Sequence, residues 1–407
     1  MFKKDSSFLA TVDIGSTKIC ALIGEVGEGG NLRVKGMGTS VSSSVKKSGP
    51  ENPVELTSSI KRAMLRAERM SGMVAEQCVL SFSAPFVRSE VGEAEMEVDP
   101  TRNLQTEDVS QLLDHIAGRL KKPGEKIAHL VPLFFQLDGQ DYFSEPVGQR
   151  GQILKARVLL VTIAEEIYNQ FVKCAARAGI KIMEYVVPAL ANFKLLGEKL
   201  KTKNLLVVDI GGKFTEISYF RQQTLSGYSV LPIGSAHITN DLAFGLDISL
   251  QEAERLKILH GQLVEEAQEL PEEYLEIDSV EEGGQPRKIS KNFLNEIISA
   301  RVREIFKKVR GEVEKMVFAE KVEEVVLTGG GSLLKGIEDL AEKILGIQTS
   351  REKIVFANEL VSSPVYNVGV GLVLYGLKKG WLRPVAVPRN FFYQMIGETK
   401  RWFQEFF

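Results

Sequence analysis

Apolar and polar positions follow the same order in two distant stretches of the chain. These stretches are FLATVDIGSTKICALIGEV, residues 8–26, and NLLVVDIGGKFTEISYF, residues 204–220. In each, an apolar run predicts a strand that ends at a carboxylate, glycine-containing residues predict a turn, and a second apolar run predicts a returning strand. The repetition predicts two related halves.

The two predicted turns carry groups suited to anionic oxygens. A tight glycine turn exposes several backbone N–H groups, here beside the hydroxyls of Ser16, Thr17 and Thr215. Asp13 and Asp209 at the strand ends would repel a phosphate directly, so we expect them to hold Mg²⁺ through water. Taken alone, one such turn is more often a plain structural hairpin.

A third glycine site lies at residues 329–331, within VEEVVLTGGGSLLKGIEDLAEKIL. The pattern predicts a strand, the triplet Gly329, Gly330 and Gly331, and then an amphipathic helix whose N-terminus favours anions. The glycine spacing matches neither a Walker A motif nor GxGxxG. The order along the chain, a turn, its duplicate and then a glycine triplet, is what favours a nucleotide site.

Composition narrows the classes of function. The chain has 407 residues, which at about 150 residues per domain predicts two or three domains. It carries 51 Lys and Arg against 53 Asp and Glu, a net charge of −2, so nucleic acid is not an expected partner. Three separated cysteines and four histidines without metal-ligand spacing predict a reducing compartment and no zinc or di-iron centre. The first residues lack a signal-peptide pattern, and the apolar windows are too short or too interrupted for a membrane-spanning helix.

The chain resembles the superfamily of actin, sugar kinases and heat-shock chaperones, in which two phosphate hairpins and a glycine loop grip a nucleotide between two lobes. More narrowly, it is similar to the FtsA family of bacterial cell-division proteins over essentially its whole length. The resemblance rests on the two hairpin stretches, on AERLKILHG at 253–261, on VVLTGGGSLLKGIEDLA at 325–341 and on the aromatic C-terminal segment. It implies an α/β, actin-like fold, in which a ribonuclease H-like fold is duplicated to give two lobes. It also implies an inserted small α+β subdomain and a C-terminal amphipathic helix.

The resemblance also implies how the chain is divided. Lobe 1 would comprise residues 1–83, 162–196 and 360–380, with the inserted subdomain at 84–161. Lobe 2 would comprise residues 197–230 and 306–359, with its own small subdomain at 231–305. A linker at 381–389 would precede the amphipathic helix at 390–407. Within the insertion, we expect Thr106 to N-cap a helix and residues 127–139 to be extended.

ATP and Mg²⁺ are the cofactors that the resemblance implies. The first phosphate loop would comprise Asp13, Gly15, Ser16, Thr17 and Lys18, and the second Asp209, Gly211, Gly212, Lys213 and Thr215. Gly329, Gly330, Gly331 and Ser332 would lie along the adenosine. Glu254 and Lys257 would approach the purine and ribose, although their i, i+3 spacing also suits an ordinary surface ion pair. No catalytic base can be named, so we expect ATP binding and at most weak hydrolysis.

The second phosphate loop departs from the family pattern at one position. Asp-x-Gly-Gly-Gly-Thr is usual there, whereas Lys213 stands at the third glycine. A lysine could add an ammonium group to the phosphates, or its side chain could keep the backbone away from them. In the second case, nucleotide would bind weakly or hydrolysis would be slow.

The chain ends in NFFYQMIGETKRWFQEFF, residues 390–407. On a helix its apolar side chains form one wide face, and Pro384 and Pro388 predict an extended linker before it. Such a face can pack on its own domain or lie in the plane of a bilayer, and the resemblance favours the membrane. The membrane-facing residues would be Phe391, Phe392, Met395, Ile396, Trp402, Phe403 and Phe406.

A helix is predicted within RKISKNFLNEIISARVREIFKKVRGEVEKM, residues 287–316. The residues expected to face a core are Phe293, Ile297, Val302, Ile305 and Val309. The residues left to form a basic surface are Arg287, Lys288, Lys291, Arg301 and Arg303. Such a charged surface is usually only a solvated face. In the FtsA family this subdomain receives the acidic and apolar C-terminal peptide of FtsZ, so the resemblance implies Glu296 and Arg301 as contacts.

The resemblance thus implies an ATP-binding actin-like protein that polymerises at the membrane. It would tether FtsZ filaments to the inner face of the cytoplasmic membrane during cell division. Its partners would be FtsZ, further copies of itself, the lipid surface and other division proteins. A PilM-like actin homologue of type IV pilus assembly is the alternative, against which the terminal amphipathic segment argues. A sugar or acyl kinase is a third candidate, and it is disfavoured because no catalytic aspartate stands out.

Overall fold

The computed structural model describes residues 7–26, 32–42, 44–142, 146–263, 273–277, 287–316, 322–351, 361–379 and 383–384. Its first part comprises β1 (Ser7–Ile14), β2 (Lys18–Val26), β3 (Leu32–Val41), β4 (Val45–Lys46), β5 (Gly49–Pro50), α1 (Pro53–Ser71) and β6 (Gln77–Phe82). Strands β1, β2 and β3 form an antiparallel meander, and β6 lies parallel to β1 on its other side. Helix α1 begins after Asn52, whose side chain accepts the Glu55 N–H, and ends at Gly72 in the left-handed conformation.

The next stretch forms a small α+β unit. Its elements are β7 (Val87–Glu97), α2 (Thr106–Leu120), β8 (Glu125–Leu137), β9 (Gln140–Tyr142) and β10 (Ile153–Ala164). The strands form a separate sheet in the order β7-β10-β8-β9. Leu112 and Ile116 of α2 share a buried cluster with Phe135 and Leu154 of this sheet. The predicted extended segment at 127–139 lies mostly in β8.

The chain then returns to the first sheet through α3 (Glu165–Arg177), β11 (Lys181–Tyr185), α4 (Pro188–Leu195) and α5 (Gly197–Thr202). Strand β11 pairs in parallel with β6, so the first sheet has the order β11-β6-β1-β2-β3. The ring of Phe82 stacks on that of Phe171 and packs at a tilt against that of Tyr185. Aromatic side chains thus join the parallel strands β6 and β11 to α3.

The second half comprises β12 (Leu205–Ile210), β13 (Thr215–Arg221), β14 (Thr224–Leu231), α6 (Ser235–Leu246), α7 (Leu250–His260), β15 (Tyr274–Ile277), β16 (Arg287–Ser290), α8 (Lys291–Met316), β17 (Glu324–Thr328), α9 (Ile337–Leu345) and β18 (Thr349–Arg351). Strands β12, β13 and β14 form an antiparallel meander, and β17 and β18 continue the sheet in parallel. Its order, β14-β13-β12-β17-β18, repeats the connectivity of the first sheet. The predicted duplication is thus confirmed by the topology.

Helix α8 faces the core mostly as its apolar spacing predicts. Val302, Ile305 and Val309 are buried, and Ile297 is half-buried against the same core. The prediction for Phe293 was wrong, because its side chain is 47% exposed. The helix buries the neighbouring Leu294 instead, which leaves an aromatic side chain at the surface.

The chain is described last at α10 (Asn367–Lys378) and β19 (Arg383–Pro384). In β19, Pro384 and Arg383 lie opposite Ser7 and Phe8 of β1, so part of the predicted linker is a short strand. The predicted amphipathic helix at 390–407 lies outside the described residues. None of the helices in the described ranges has the length and apolar character that a membrane-spanning helix needs.

Candidate functional site

The two predicted hairpin turns lie on opposite sides of one cleft. This cleft contains a cavity of about 530 Å³. The predicted site residues that border it are Asp13, Gly15, Ser16, Thr17, Lys18, Asp209, Gly211, Gly212, Glu254, Lys257, Gly329, Gly330 and Gly331. Lys213, Thr215 and Ser332 each adjoin a residue that borders the cavity but are not themselves among the described residues that border it. The structure therefore brings together predicted site residues from position 13 to position 331 of the chain.

The two turns are closed by the same backbone hydrogen bond. Gly15 N–H donates to the Lys18 carbonyl at 2.9 Å, and Gly211 N–H donates to the Phe214 carbonyl at 3.0 Å. A Cβ at Gly15 would lie only 2.6 Å from the Lys18 oxygen, which explains the glycine. The tight geometry leaves the turn tips close to the cavity, where their N–H groups can meet anionic oxygens.

The glycine triplet approaches the end of β12 from the side. Gly329 has a φ of +79°, and a Cβ there would lie 2.2 Å from Asp209 Oδ1. The next residues form a short 3₁₀ turn in which Ser332 Oγ donates to the Gly329 carbonyl at 2.7 Å. The prediction that a helix starts at the triplet was wrong, because α9 begins only at Ile337. Because it has no side chain, Gly329 thus lets the backbone of the triplet pass beside the Asp209 carboxylate.

Three carboxylates lie in this cleft, one buried and two half-buried, and their pKa values are raised. Burial raises the pKa of Asp13 to about 7, and the negative charge of Asp209 adds to the effect. Burial raises the pKa of Asp209 to about 6, against a hydrogen bond from Asn192. Burial and the charge of Asp209 raise the pKa of Glu216 to about 8. A divalent cation would relieve the repulsion in such a cluster.

Glu216 is a cleft residue that sequence reasoning missed. It borders the cavity, and Tyr228 donates its hydroxyl proton to Glu216 Oε2 at 2.7 Å. A signal was available, because Glu216 is a lone charge in the run TEISYF, whose residues are all buried in the structure. A charged residue within a strand buried on both faces needs a specific partner.

Lys18 enters the cleft from the start of β2. Burial lowers the pKa of its ammonium group. Its Nζ donates to the Val365 carbonyl at 3.4 Å and lies 4.3 Å from the centre of the Tyr366 ring. The ammonium group is thus positioned by the segment that precedes α10.

Glu254 and Lys257 border the cavity from α7 and also form the predicted ion pair. Lys257 Nζ lies 2.7 Å from Glu254 Oε2 and 2.8 Å from Thr239 Oγ1. Beside them, the apolar side chains of Ile258 and Leu333 border the cavity and are 69% and 47% exposed. A flat ring at this end of the cavity would contact both apolar side chains and hydrogen-bonding groups.

The remaining predicted site residues support the turns, with Thr215 and Ser332 buried and Lys213 half-buried. Thr215 Oγ1 donates to the Ile233 carbonyl at 2.8 Å, and Ser332 closes its own 3₁₀ turn. Lys213 Nζ donates at 3.1 Å to the carbonyl of Val45, which lies on the opposite side of the cleft. These side chains hold the backbone that borders the cavity.

A second surface of interest lies between α6 and α8. Arg301 donates to both carboxylate oxygens of Asp241, at 2.5 and 2.8 Å, and also pairs with Glu304. Phe244 is 91% exposed on α6 and Phe293 is 47% exposed on α8. Glu296, the other predicted contact, is exposed on α8. The surface thus combines exposed aromatic rings with a guanidinium group held by carboxylates.

The predicted membrane-facing residues Phe391, Phe392, Met395, Ile396, Trp402, Phe403 and Phe406 all lie outside the described residues.

Comparison with known proteins places the chain. A family model described as cell division protein FtsA matches residues 206–371, and one described as the SHS2 domain inserted in FtsA matches residues 86–162. The cell division protein FtsA of Pseudomonas aeruginosa is 30% identical over 389 residues, which are 92% of this chain and 91% of that protein. The chain belongs to the FtsA family.

Solved structures support the actin-like fold of this FtsA-family chain. The PilM-PilN type IV pilus biogenesis complex matches 91% of this chain and 98% of that chain with a TM-score of 0.66, at 18% identity. MreB 5 of Spiroplasma citri bound to AMPPNP matches 93% and 99% with a TM-score of 0.53, at 13% identity. Identities this low show a shared fold alone, so the likeness to PilM does not compete with the FtsA family match. The predicted fold class, with its inserted subdomain, is confirmed.

Proposed function

We propose that this FtsA-family protein binds ATP with Mg²⁺ in the cleft and polymerises at the membrane. It tethers FtsZ filaments to the inner face of the cytoplasmic membrane during cell division. The observation that carries the nucleotide proposal is the convergence of two duplicated turns and one glycine turn on a single cavity of about 530 Å³. The MreB relative of the same fold binds AMPPNP, a nucleoside triphosphate analogue, which supports the same site here.

The described residues fit a magnesium nucleotide. Backbone N–H groups of the turns at Gly15–Lys18 and Gly211–Phe214 would hold phosphate oxygens, and Asp13 and Asp209 would hold Mg²⁺ through water. Bound Mg²⁺ neutralises phosphate charge in such sites. Glu254, Lys257 and residues 329–331 would hold the adenosine. We assign no catalytic residue and expect weak hydrolysis at most.

A substitution at Gly330 tests this site directly. A Cβ at Gly330 would meet no atom nearer than Val365 Cγ2 at 3.9 Å, so Gly330→Leu can fold while its side chain occupies space beside a cavity residue. We expect Gly330→Leu to weaken the binding of a fluorescent ATP analogue about tenfold or more, as measured by fluorescence titration. Gly118→Leu is the matched control, since Gly118 is exposed on α2 with nothing within 4 Å of an added Cβ. Unchanged affinity in Gly330→Leu would place the nucleotide elsewhere.

The surface between α6 and α8 is proposed as the FtsZ peptide site. An acidic and apolar peptide could lay an apolar side chain against Phe244 and Phe293 and a carboxylate near Arg301. Because Asp241 and Glu304 already accept from Arg301, the peptide carboxylate must share or replace those bonds. The site therefore favours a peptide that carries both an apolar side chain and a carboxylate.

Membrane attachment is proposed for residues 390–407. On a helix, the apolar positions of NFFYQMIGETKRWFQEFF would lie on one face, and such a face binds the interface of a bilayer reversibly. Polymerisation would present many such helices at once, which makes attachment firm without any stronger single contact.

A further inference from the structure

Lys213 bonds to lobe 1 at two places from within the second hairpin turn. Its backbone N–H donates to Ser16 Oγ at 2.8 Å. Its Nζ donates to the backbone carbonyl of Val45 at 3.1 Å. The side chain thus runs from lobe 2 to lobe 1, and Lys213 is not among the described residues that border the cavity.

Val45 belongs to a well-anchored segment of lobe 1. It begins β4, which pairs with β5, and its side chain is fully buried. Just before it, Ser42 N–H donates to the Thr17 carbonyl at 3.0 Å, and Ser44 Oγ donates to Glu55 Oε2 of α1 at 2.6 Å. The acceptor that the lysine uses is therefore fixed relative to the first hairpin turn.

The neighbouring glycine shows how closely the two turns approach. A Cβ at Gly212 would lie 2.4 Å from Thr17 Cγ2 and 3.1 Å from Ser16 Oγ. The turns of the two lobes are in direct contact at this edge of the cleft. Any separation of the lobes here must break this contact and both bonds of Lys213.

We propose that Lys213 is a strap between the lobes, which holds the cleft closed and slows the entry and release of nucleotide without contacting it. The inference rests on the proposed nucleotide site and concerns how that site opens. A glycine at this position, as in the usual family pattern, would keep the backbone bond to Ser16 and lose the side-chain bond to Val45. The lysine is thus a positioning residue in this chain.

The strap changes the rates at which nucleotide binds and leaves, and it does not change the affinity for nucleotide. The bond from Lys213 to Val45 belongs to the closed cleft, whether or not nucleotide is inside, so its contribution cancels from the dissociation constant. The bond must break each time the lobes separate. Its loss should raise the association and release rate constants by the same factor, about tenfold for a hydrogen bond from a charged group. A phosphate ligand would behave differently, because its loss weakens the triphosphate more than the diphosphate.

Three variants of the full-length protein separate these cases. Lys213→Met keeps the apolar stem and removes the donor, and Lys213→Arg restores a donor. Lys47→Met is the matched control, because it removes a positive charge at the exposed tip of the hairpin between β4 and β5. The measurement is stopped-flow fluorescence with N-methylanthraniloyl ATP and ADP in Mg²⁺. We expect Lys213→Met to accelerate both steps about tenfold for both nucleotides at an unchanged dissociation constant. Lys213→Arg should restore most of the slow rate, and Lys47→Met should match the wild type.

Hydrogen–deuterium exchange of the nucleotide-free protein tests the strap without any bound ligand. Residues 44–50 and 211–215 should exchange faster in Lys213→Met than in the wild type or in Lys47→Met. If the wild type binds neither nucleotide, the proposed cleft function fails, and the exchange result alone decides on the strap. Unchanged exchange at both segments overturns the strap, as does an affinity loss in Lys213→Met that is larger for the triphosphate.

Discussion

Three acidic side chains, Asp13, Asp209 and Glu216, dominate the chemistry of the cleft. Glu216 is buried and the two aspartates are half-buried, and the pKa of each of the three is raised well above that of a carboxyl in water. The negative charge of Asp209 raises the pKa of both Asp13 and Glu216, so these carboxyls resist ionising together. The proposed Mg²⁺ would relieve this repulsion.

The raised pKa of Glu216 predicts that the stability of the folded protein depends on pH. Its pKa rises from 4.5 to about 8 in the folded protein, chiefly through burial and then through the charge of Asp209. The folded state therefore holds a proton that the unfolded state releases, so the stabilisation is complete below pH 4.5 and is lost as pH rises through about 8. In buffer without Mg²⁺ or nucleotide, we expect the wild-type melting temperature to fall by a few degrees across this window.

Glu216→Gln is the matching variant, since its amide oxygen can still accept the Tyr228 proton. Its melting temperature should fall less than that of the wild type over the same window. Equal slopes in the two proteins would show that Glu216 does not carry the buried proton.

The surface between α6 and α8 gives a second prediction about single residues. Arg301→Glu should weaken binding of an FtsZ C-terminal peptide by about 1.5 kcal/mol or more, because a charge-assisted hydrogen bond becomes a repulsion. Phe244→Ala should also weaken binding while leaving the melting temperature unchanged, because Phe244 is 91% exposed. Fluorescence anisotropy of a labelled peptide measures both effects. Lys307→Glu, an exposed charge reversal further along α8, controls for net charge, and wild-type affinity in Arg301→Glu would remove that residue from the site.

At the scale of elements, the predicted hairpins are accurate because their signal is local. An apolar run, an Asp-x-Gly turn and a second run specify β1 and β2, and likewise β12 and β13, with no help from the rest of the chain. Details that depend on neighbours were predicted less well. Helix α2 is capped at Gln105, whose N–H donates to Asp108 Oδ2 at 2.8 Å, and not at Thr106. Phe293 is likewise exposed, although its spacing on α8 predicts a core position.

The C-terminal segment is predicted to act as a separable element. Deletion of residues 391–407 should abolish sedimentation of the protein with anionic liposomes, because it removes the aromatic residues proposed to bind the membrane interface. The rise in melting temperature on addition of Mg-ATP should persist, because the cleft lies entirely within the described residues before this segment. Liposome binding that survives the deletion would place the membrane contact elsewhere.

For the molecule as a whole, the duplication explains why a site forms between the halves. Two sheets of identical connectivity place their first turns at equivalent strand ends, and the cleft brings Asp13 and Asp209 to the same cavity. The repeat in the sequence predicted two related halves, and the resemblance to the actin superfamily implied that their turns converge on one site. The sequence could not reveal that Lys213 reaches Val45, because that contact depends on how the two halves close upon each other.

The most direct test of the proposed function is co-sedimentation of the full-length protein with anionic liposomes, with and without Mg-ATP, imaged by negative-stain electron microscopy. We expect sedimentation with lipid and filaments or arrays on the liposome surface, and we expect both to increase with Mg-ATP because nucleotide would set the geometry of the subunits. Protein that binds Mg-ATP but stays in the supernatant as single molecules would contradict the proposed function. That result would remove the membrane tether and leave a nucleotide-binding protein of the actin-like fold.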